Sequence, residues 1–430
     1  MGSEWKEFEL GDLIELKRGY DLPKSKREDG SIPIISSSGA SGNHNIAKIS
    51  APGVVTGRYG TIGEVFYVDE DFWPLNTTLY VKDFKGNDPL FIYYLLKTIS
   101  FSDYTDKGAV PGINRNHVHK ARVKAPQCIK EQKCLGEKLY LFEKRIALNY
   151  QTNQTLEQMA QALFKSWFVD FDPVIDNALA AGNDIPEALQ HKAEQRKQAQ
   201  QLQASPETKS KPLPDDIRAL FPSEFEQTDE PTVGFDGWIP KGWSAGNLSS
   251  LANFTSSRID GTELTLDNYI STDNMLSNKG GISTASKVPD IKTTPSFKPG
   301  DILISNIRPY FQKIWFATFS GGRSNDVLGF EAKNEQCKEY LLNLLYQDVF
   351  FDYMMTTSKG SKMPRGDKKA IMDWPVVIPP SSLQKFFSEH VKNYYQVIPI
   401  RNKESEALSE LRDTLLPKLI SGELILEKNC

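Results

Sequence analysis

The stretch WKEFELGDL at Trp5–Leu13 returns as WSAGNLSSL at Trp243–Leu251, with Trp, Leu and Leu kept 238 residues apart. Working outward from that pair, the matches continue. Gly53, opening GVVTGRYG, answers to Gly300, opening GDILISNIRPY, at 247, and Asn76 answers to Asn325 at 249. Gly108 in GAVPG and Gly360 in GSKMPRG lie 252 apart, and RVKAP and PVVIP end at Pro126 and Pro379, 253 apart. Leu156 and Leu408 follow at 252. An offset that climbs and then levels is what two related copies with small insertions give, whereas chance matches scatter. The chain reads as an internal duplication, and its 430 residues are enough for two or more cores.

Each copy divides into two parts. The first, residues 1–126 or 241–380, is rich in short β-type runs bounded by Gly, Asn and Pro, such as GEVFYV, TTLYVKDF, DILISNI and VLGFEA. One helix-like stretch sits near its end, PLFIYYLLKTI in one copy and KEYLLNLLYQDVFFDYMM in the other. The second part, residues 127–170 or 381–426, reads as a long helix. Leu135, Leu139, Phe142, Ile146, Asn149, Asn153, Leu156, Ala160 and Leu163 keep a 4,3 spacing. A shift of 252 gives Phe387, Val391, Tyr394, Ile398, Arg401, Ser405, Leu408, Arg412 and Leu415. That spacing forms a coiled-coil seam, and both copies turn polar at the same central steps. The expected fold is α+β: two mixed α/β globules separated by an antiparallel pair of long coiled-coil helices, pseudo-twofold duplicated. The alternative is two amphipathic helices, each lying on its own globule. Pro399 is expected to kink or break the second helix.

The net charge of −4 hides an uneven distribution. Residues 1–126 hold 16 basic and 16 acidic side chains, and residues 241–380 hold 16 and 14. Residues 171–240 hold 6 and 13, and their Ala/Gln-rich and Pro/Glu-rich sequence reads as an acidic, solvated linker with one short exposed helix. Because phosphate binding depends on local charge, DNA is a permitted partner of the globules. No apolar run is long enough to span a membrane, and the N-terminus lacks a signal peptide's pattern. Cys128, Cys134, Cys337 and Cys430 are too scattered for a disulfide framework or zinc knuckle, so free thiols and a cytoplasmic setting are expected.

Catalytic patterns are missing. There is no phosphate loop, no GxSxG elbow and no zinc-protease helix. Pro379–Pro380 in VIPPSS lacks the flanks of an adenine-methyltransferase tetrapeptide. Gly57, Gly60 and Gly63 read as a β-turn rather than a phosphate cradle, and His117 and His119, on one side of a presumed strand, find no further metal ligands. Binding chemistry is better represented. The first globule offers Lys17, Arg18, Tyr20, Lys24, Arg27, Ser36, Arg58, Tyr59, Arg115 and Asn116. The second offers Arg258, Asn306, Arg308, Tyr310, Arg323, Asn325, Lys359 and Arg365. Arg and Asn on loops suit guanine and adenine edges, and Lys and Ser suit phosphates. Arg58 and Arg308, in comparable places, are the preferred pair.

The repeated entry W-x5-L-x2-L, QALFKSWFVDFDPV at Gln161–Val174, PKGW at Pro240–Trp243 and RDTLLPKLISGEL at Arg412–Leu424 together resemble the specificity subunits of type I restriction-modification enzymes. The resemblance covers nearly the whole chain. It implies two target-recognition domains, each reading one half of a split, asymmetric site in double-stranded DNA. It implies paired helices that set the spacing and dock two methyltransferase subunits, with restriction subunits joining later. It implies no catalysis and no cofactor on this chain, S-adenosylmethionine, ATP and Mg acting on the partner subunits. A fused restriction-methylation polypeptide and a coiled-coil adaptor without DNA contact stay open as alternatives.

Overall fold

The computed structural model describes residues 5–105, 112–203, 213–360 and 362–425. Gly108 and Cys430 lie outside them. The chain divides into two compact units: Met1–Gln151 with Arg401–Cys430, and Thr152–Ile400.

In the first unit, strands Glu15–Arg18, Thr78–Asp83, Gly53–Gly57 and Val65–Val68 form an antiparallel sheet in that spatial order. Gly53–Gly57 is buried along its length, as its Val-Val-Thr centre favours. A second sheet joins Ile32–Ser36 to Gly39–His44 and, in parallel, to Trp73–Pro74. Trp5–Glu9 pairs with Arg122–Pro126, which brings the ends of the globule together. Helix Pro89–Lys97 starts where its sequence dictates: Asp88 accepts from the Phe91 amide, and Pro89 occupies the first turn.

The second unit repeats this plan. Ala252–Phe254, Val327–Ala332, Ile302–Ser305 and Ile314–Phe316 form an antiparallel sheet of the same order. Ser244–Asn247 pairs with Pro375–Ile378. A further sheet contains Arg258–Asp260, Thr293–Phe297, Gly321–Arg323 and Tyr269–Ile270, with one parallel pairing.

Two long helices, Ile129–Phe164 and Ser381–Ile420, follow the globules. Their first turns are fixed alike: the Gln132 amide donates to the Pro126 carbonyl at 2.9 Å, and the Gln384 amide to that of Pro379 at 2.8 Å. In the first unit Arg145 reaches Glu404 at 2.9 Å, and Arg401 donates to Asn149 at 3.0 Å. In the second unit Asn153 donates to the Ile398 carbonyl at 3.4 Å. Partner numbers fall as residue numbers rise, the sense of an antiparallel pairing. The polar seam positions Asn149, Asn153 and Arg401 are therefore joined by hydrogen bonds. Leu135, Leu139 and Val391 are buried, while Phe142, Ile146, Leu156, Leu163, Ile398, Leu408 and Leu415 are half-buried.

Three expectations need correction. Pro399 does not break the helix, which is continuous from Ser381 to Ile420; the bonds to Ile398 and from Arg401 fasten the turns on either side. The described parts of the 171–240 segment, residues 171–203 and 213–240, are not a solvated linker. Phe171, Val174, Phe221, Val233 and Ile239 join the core of the second unit, and helix Gln190–Gln203 is tied down by Arg196 to Asp176 and Lys192 to Asp170. Cys134 is disulfide-bonded, leaving Cys128 and Cys337 as free thiols, because spacing along the chain does not limit which thiols meet.

The segments that carry the family resemblance close the two cores. In the second unit Phe164, Trp167 and Phe168 pack with Trp243, Tyr340 and Phe387, the rings of Phe168 and Trp243 lying 6.0 Å apart. In the first, Leu416, Leu419 and Ile420 pack into the core beside Trp5. Gly422 closes that helix at φ 74°, and a Cβ there would come within 3 Å of the Trp5 ring. Each buried large side chain contributes roughly 1.5–3 kcal/mol.

Candidate nucleic-acid interface

In the first unit the chain leaves strand Gly53–Gly57 at Arg58, and both Arg58 and Tyr59 donate their amides to the Thr77 carbonyl, at 2.9 and 3.2 Å. The Ile113 amide in turn donates to Arg58 at 3.0 Å. Tyr59 bridges to Gly112, where a Cβ would strike the tyrosine ring, so only glycine fits. This frame lays the Arg58 guanidinium over Tyr59, 4.4 Å from the ring centre. Helix Arg115–Val118, capped by Asn114, starts two residues after Ile113 and exposes Arg115, Asn116 and His117.

The second unit builds the same frame. Beyond strand Ile302–Ser305 the Asn306 amide donates to the Asp326 carbonyl at 2.8 Å, Ile307 bridges to Arg365, and the Arg308 amide donates to Pro364 at 2.9 Å. Asn306, not Arg308, therefore stands where Arg58 stands. Asn306 is 7% exposed, its side-chain oxygen lacking a partner, so the position reaches solvent in one unit and not in the other. Arg308 is exposed, in the left-handed region at φ 50°. Tyr310 is 51% exposed beside Phe311. Asn325 is exposed at the adjoining turn. Arg365 pairs with Asp326 at 3.2 Å, and Lys359 with Asp367 at 2.6 Å, which raises the lysine pKa and lowers that of the aspartate.

Not every candidate reaches this edge. Arg323 is 6% exposed, donating to the Val327 and Thr255 carbonyls and the Thr255 hydroxyl. Burial lowers its pKa, and it is a structural residue of the sheet. Arg258 is fastened to Thr293 at 2.9 Å from within strand Arg258–Asp260. In the first unit Tyr20 meets the Tyr80 hydroxyl at 3.0 Å, Arg27 donates to the Ser41 carbonyl at 2.8 Å and Ser36 to that of Gly39 at 2.8 Å. Arg18 pairs with Asp21 at 3.5 Å, Lys17 lies 5.7 Å from the Tyr20 ring centre, and Lys24 is exposed. His117 and His119 stand in and just after a helix, not on a strand. His119 accepts from the Leu16 amide at 2.9 Å, and burial lowers its pKa. Its role is internal.

Sequence reading missed Asn278, Lys279 and Gln312. All three have positive φ, and their segments are joined: the Asn278 amide donates to Phe311 at 2.8 Å and the Lys279 amide to Gln312 at 2.9 Å. The turn-forming run SNKGG at Ser277–Gly281 was the available signal. Among the described residues no group of three or more His, Cys, Asp or Glu is arranged to hold a metal ion.

Residues 2–158 match the family described as Type I restriction modification DNA specificity domain. Over 98% of its length the chain is 23% identical to the whole of the type I restriction enzyme HindI specificity subunit of Haemophilus influenzae. The chain is thus similar over nearly its whole length to the specificity subunits of type I restriction-modification enzymes, and its first part matches their DNA specificity domain. It is also 22% identical, over 98% of its length and 89% of the relative's, to the EcoDI specificity subunit of Escherichia coli. In fold it is similar to the S subunit of a type I restriction-modification system from M. genitalium. The TM-score is 0.56, at 15% identity, covering 97% of this chain and 96% of that one. No helix among the described residues is long and apolar enough to cross a membrane.

Proposed function

We propose that this specificity subunit reads double-stranded DNA through two duplicated target-recognition domains, each taking one half of a split, asymmetric site. The observation that carries this reading is the shared hydrogen-bond frame at the strand ends Gly57 and Ser305. It fixes the backbone in the same way in both units while presenting Arg58 in one and, beyond the buried Asn306, Arg308 in the other. A constant frame with differing side chains suits two half-sites of different sequence. The two long helices act as an antiparallel coiled-coil spacer, and a duplicated chain offers two similar faces for two methyltransferase subunits. Restriction subunits complete the complex. This chain is non-catalytic and cytoplasmic; S-adenosylmethionine, ATP and Mg belong to the partners, and adenine is flipped out there for methylation.

The test is a genome-wide map of methylated adenines with and without this gene. Loss of one split, asymmetric methylated motif supports the proposal. An unchanged map, with the partner methyltransferase expressed, rejects it and favours an adaptor without DNA contact. The adaptor also differs in salt response, since DNA binding weakens steeply as salt rises.

A further inference from the structure

The geometry points to Arg308 as a guanine-reading, specificity-determining residue of the second unit. This inference rests on the proposed DNA-reading function and narrows it to one side chain and one base. Around the loop that carries Arg308, most cations are already committed. Lys279 faces Asp348 at 2.6 Å, Lys359 faces Asp367 at 2.6 Å, and Arg365 faces Asp326 at 3.2 Å. The Arg308 side chain makes no hydrogen bond or ion pair among the described residues, and neither does that of Lys362; both residues are exposed. The two differ in chemistry. A lysine ammonium is a point charge suited to a phosphate, whereas a guanidinium is a planar fork that matches the paired acceptors O6 and N7 of guanine in the major groove.

The backbone supports the assignment. Arg308 is held at φ 50° and ψ 64°, a conformation most L residues avoid. Its amide is tied to Pro364 at 2.9 Å, its carbonyl accepts from Phe311 at 3.0 Å, and Pro309 follows it. Two bonds from Asn278 and Lys279 then anchor Phe311 and Gln312. Four of the seven positive-φ residues other than glycine among the described residues, Asn278, Lys279, Arg308 and Gln312, fall in this one pair of loops. Such clustering fixes the backbone from which the side chain leaves before any ligand arrives. With its backbone set in advance and its donors unspent, Arg308 orders only its side chain on meeting a base.

The test uses the full chain assembled with its methyltransferase subunits and a panel of duplexes substituted at each position of both half-sites. For the wild-type complex, replacing one guanine in one half-site should weaken binding roughly tenfold to hundredfold. In Arg308→Gly, which keeps the left-handed backbone without strain, that penalty should fall below about threefold while the other half-site is read as before. Arg308→Lys should not restore it, because the fork and not the charge does the reading. Lys362→Ala should instead weaken all duplexes alike and flatten the salt dependence. Three outcomes would overturn the inference: discrimination unchanged in Arg308→Gly, a uniform loss at every position, or recovery in Arg308→Lys. A wild-type complex that binds no split site would instead remove the DNA-reading function itself, and the assignment with it. Unchanged thermal unfolding of Arg308→Gly separates lost reading from lost structure.

Discussion

The guanidinium of Arg323 is enclosed by Thr255 and by the strand that begins at Val327, and burial has lowered its pKa. Arg323→Ala leaves two carbonyls and a hydroxyl without their donor, so the second unit should lose roughly 2–3 kcal/mol, measured by urea unfolding. Lost DNA binding at full stability would instead make Arg323 a contact. His119 gives a pH-dependent case. It accepts from the Leu16 amide only when neutral, and its folded pKa lies below the ordinary 6.5. The unfolded chain therefore takes up protons first as pH falls. The stability His119 provides is full above about 6.5 and is lost on going down through the lowered folded pKa. Urea midpoints of the first unit at pH 7 and pH 5 should show this drop, and His119→Gln should flatten it. An equal drop in the variant would assign it to other groups.

At the scale of elements, the first long helix brings Glu157 near Tyr346 and Tyr395. Burial pushes its carboxyl up to about 7. The sign is opposite to that of His119. The stability contribution is full below the ordinary 4.5 and lost as pH rises through about 7. Glu157→Gln should therefore stabilise the second unit at pH 8 by roughly 1–3 kcal/mol and leave it nearly unchanged at pH 4, as urea titrations at both values would show. Several elements were legible beforehand because their signals are local. Trp5 opens one of two matched strands and Trp243 immediately precedes the other, and Asn76 and Asn325 each stand two residues before a matched strand. What was not legible depends on three-dimensional neighbours. A shift of two residues separates Arg308 from the place of Arg58, and only the bonds to Thr77 and Asp326 reveal it. Phe171, Phe221, Val233 and Ile239 enter a core from a polar stretch without helical or strand periodicity, so composition alone made it a linker. Arg323 reads as a DNA contact because arginine suits base edges, yet three acceptors hold it inside the sheet.

On the scale of the whole molecule, the proposed spacer makes a geometric demand. If the helices set the unread gap, both must change together, since each packs against the other's polar seam positions in antiparallel sense. Deleting Leu148–Gln154 and Ile400–Glu406, which correspond at the offset of 252, removes about two helical turns from each helix. That is roughly 10 Å of length, or about 3 base pairs at ~3.4 Å each. The globules keep their strand-end frames, because neither deletion touches a residue between Trp5 and Pro126 or between Trp243 and Pro379. Mapping methylated adenines for the doubly shortened protein should therefore return the same two half-sites with a gap shorter by about 3 base pairs. Shortening one helix alone should abolish methylation, since the seam of the intact helix would fall out of step with that of the shortened one. Altered half-sites at an unchanged gap would mean that the helices do not act as a ruler, and that spacing is set inside the globules or by the partner subunits.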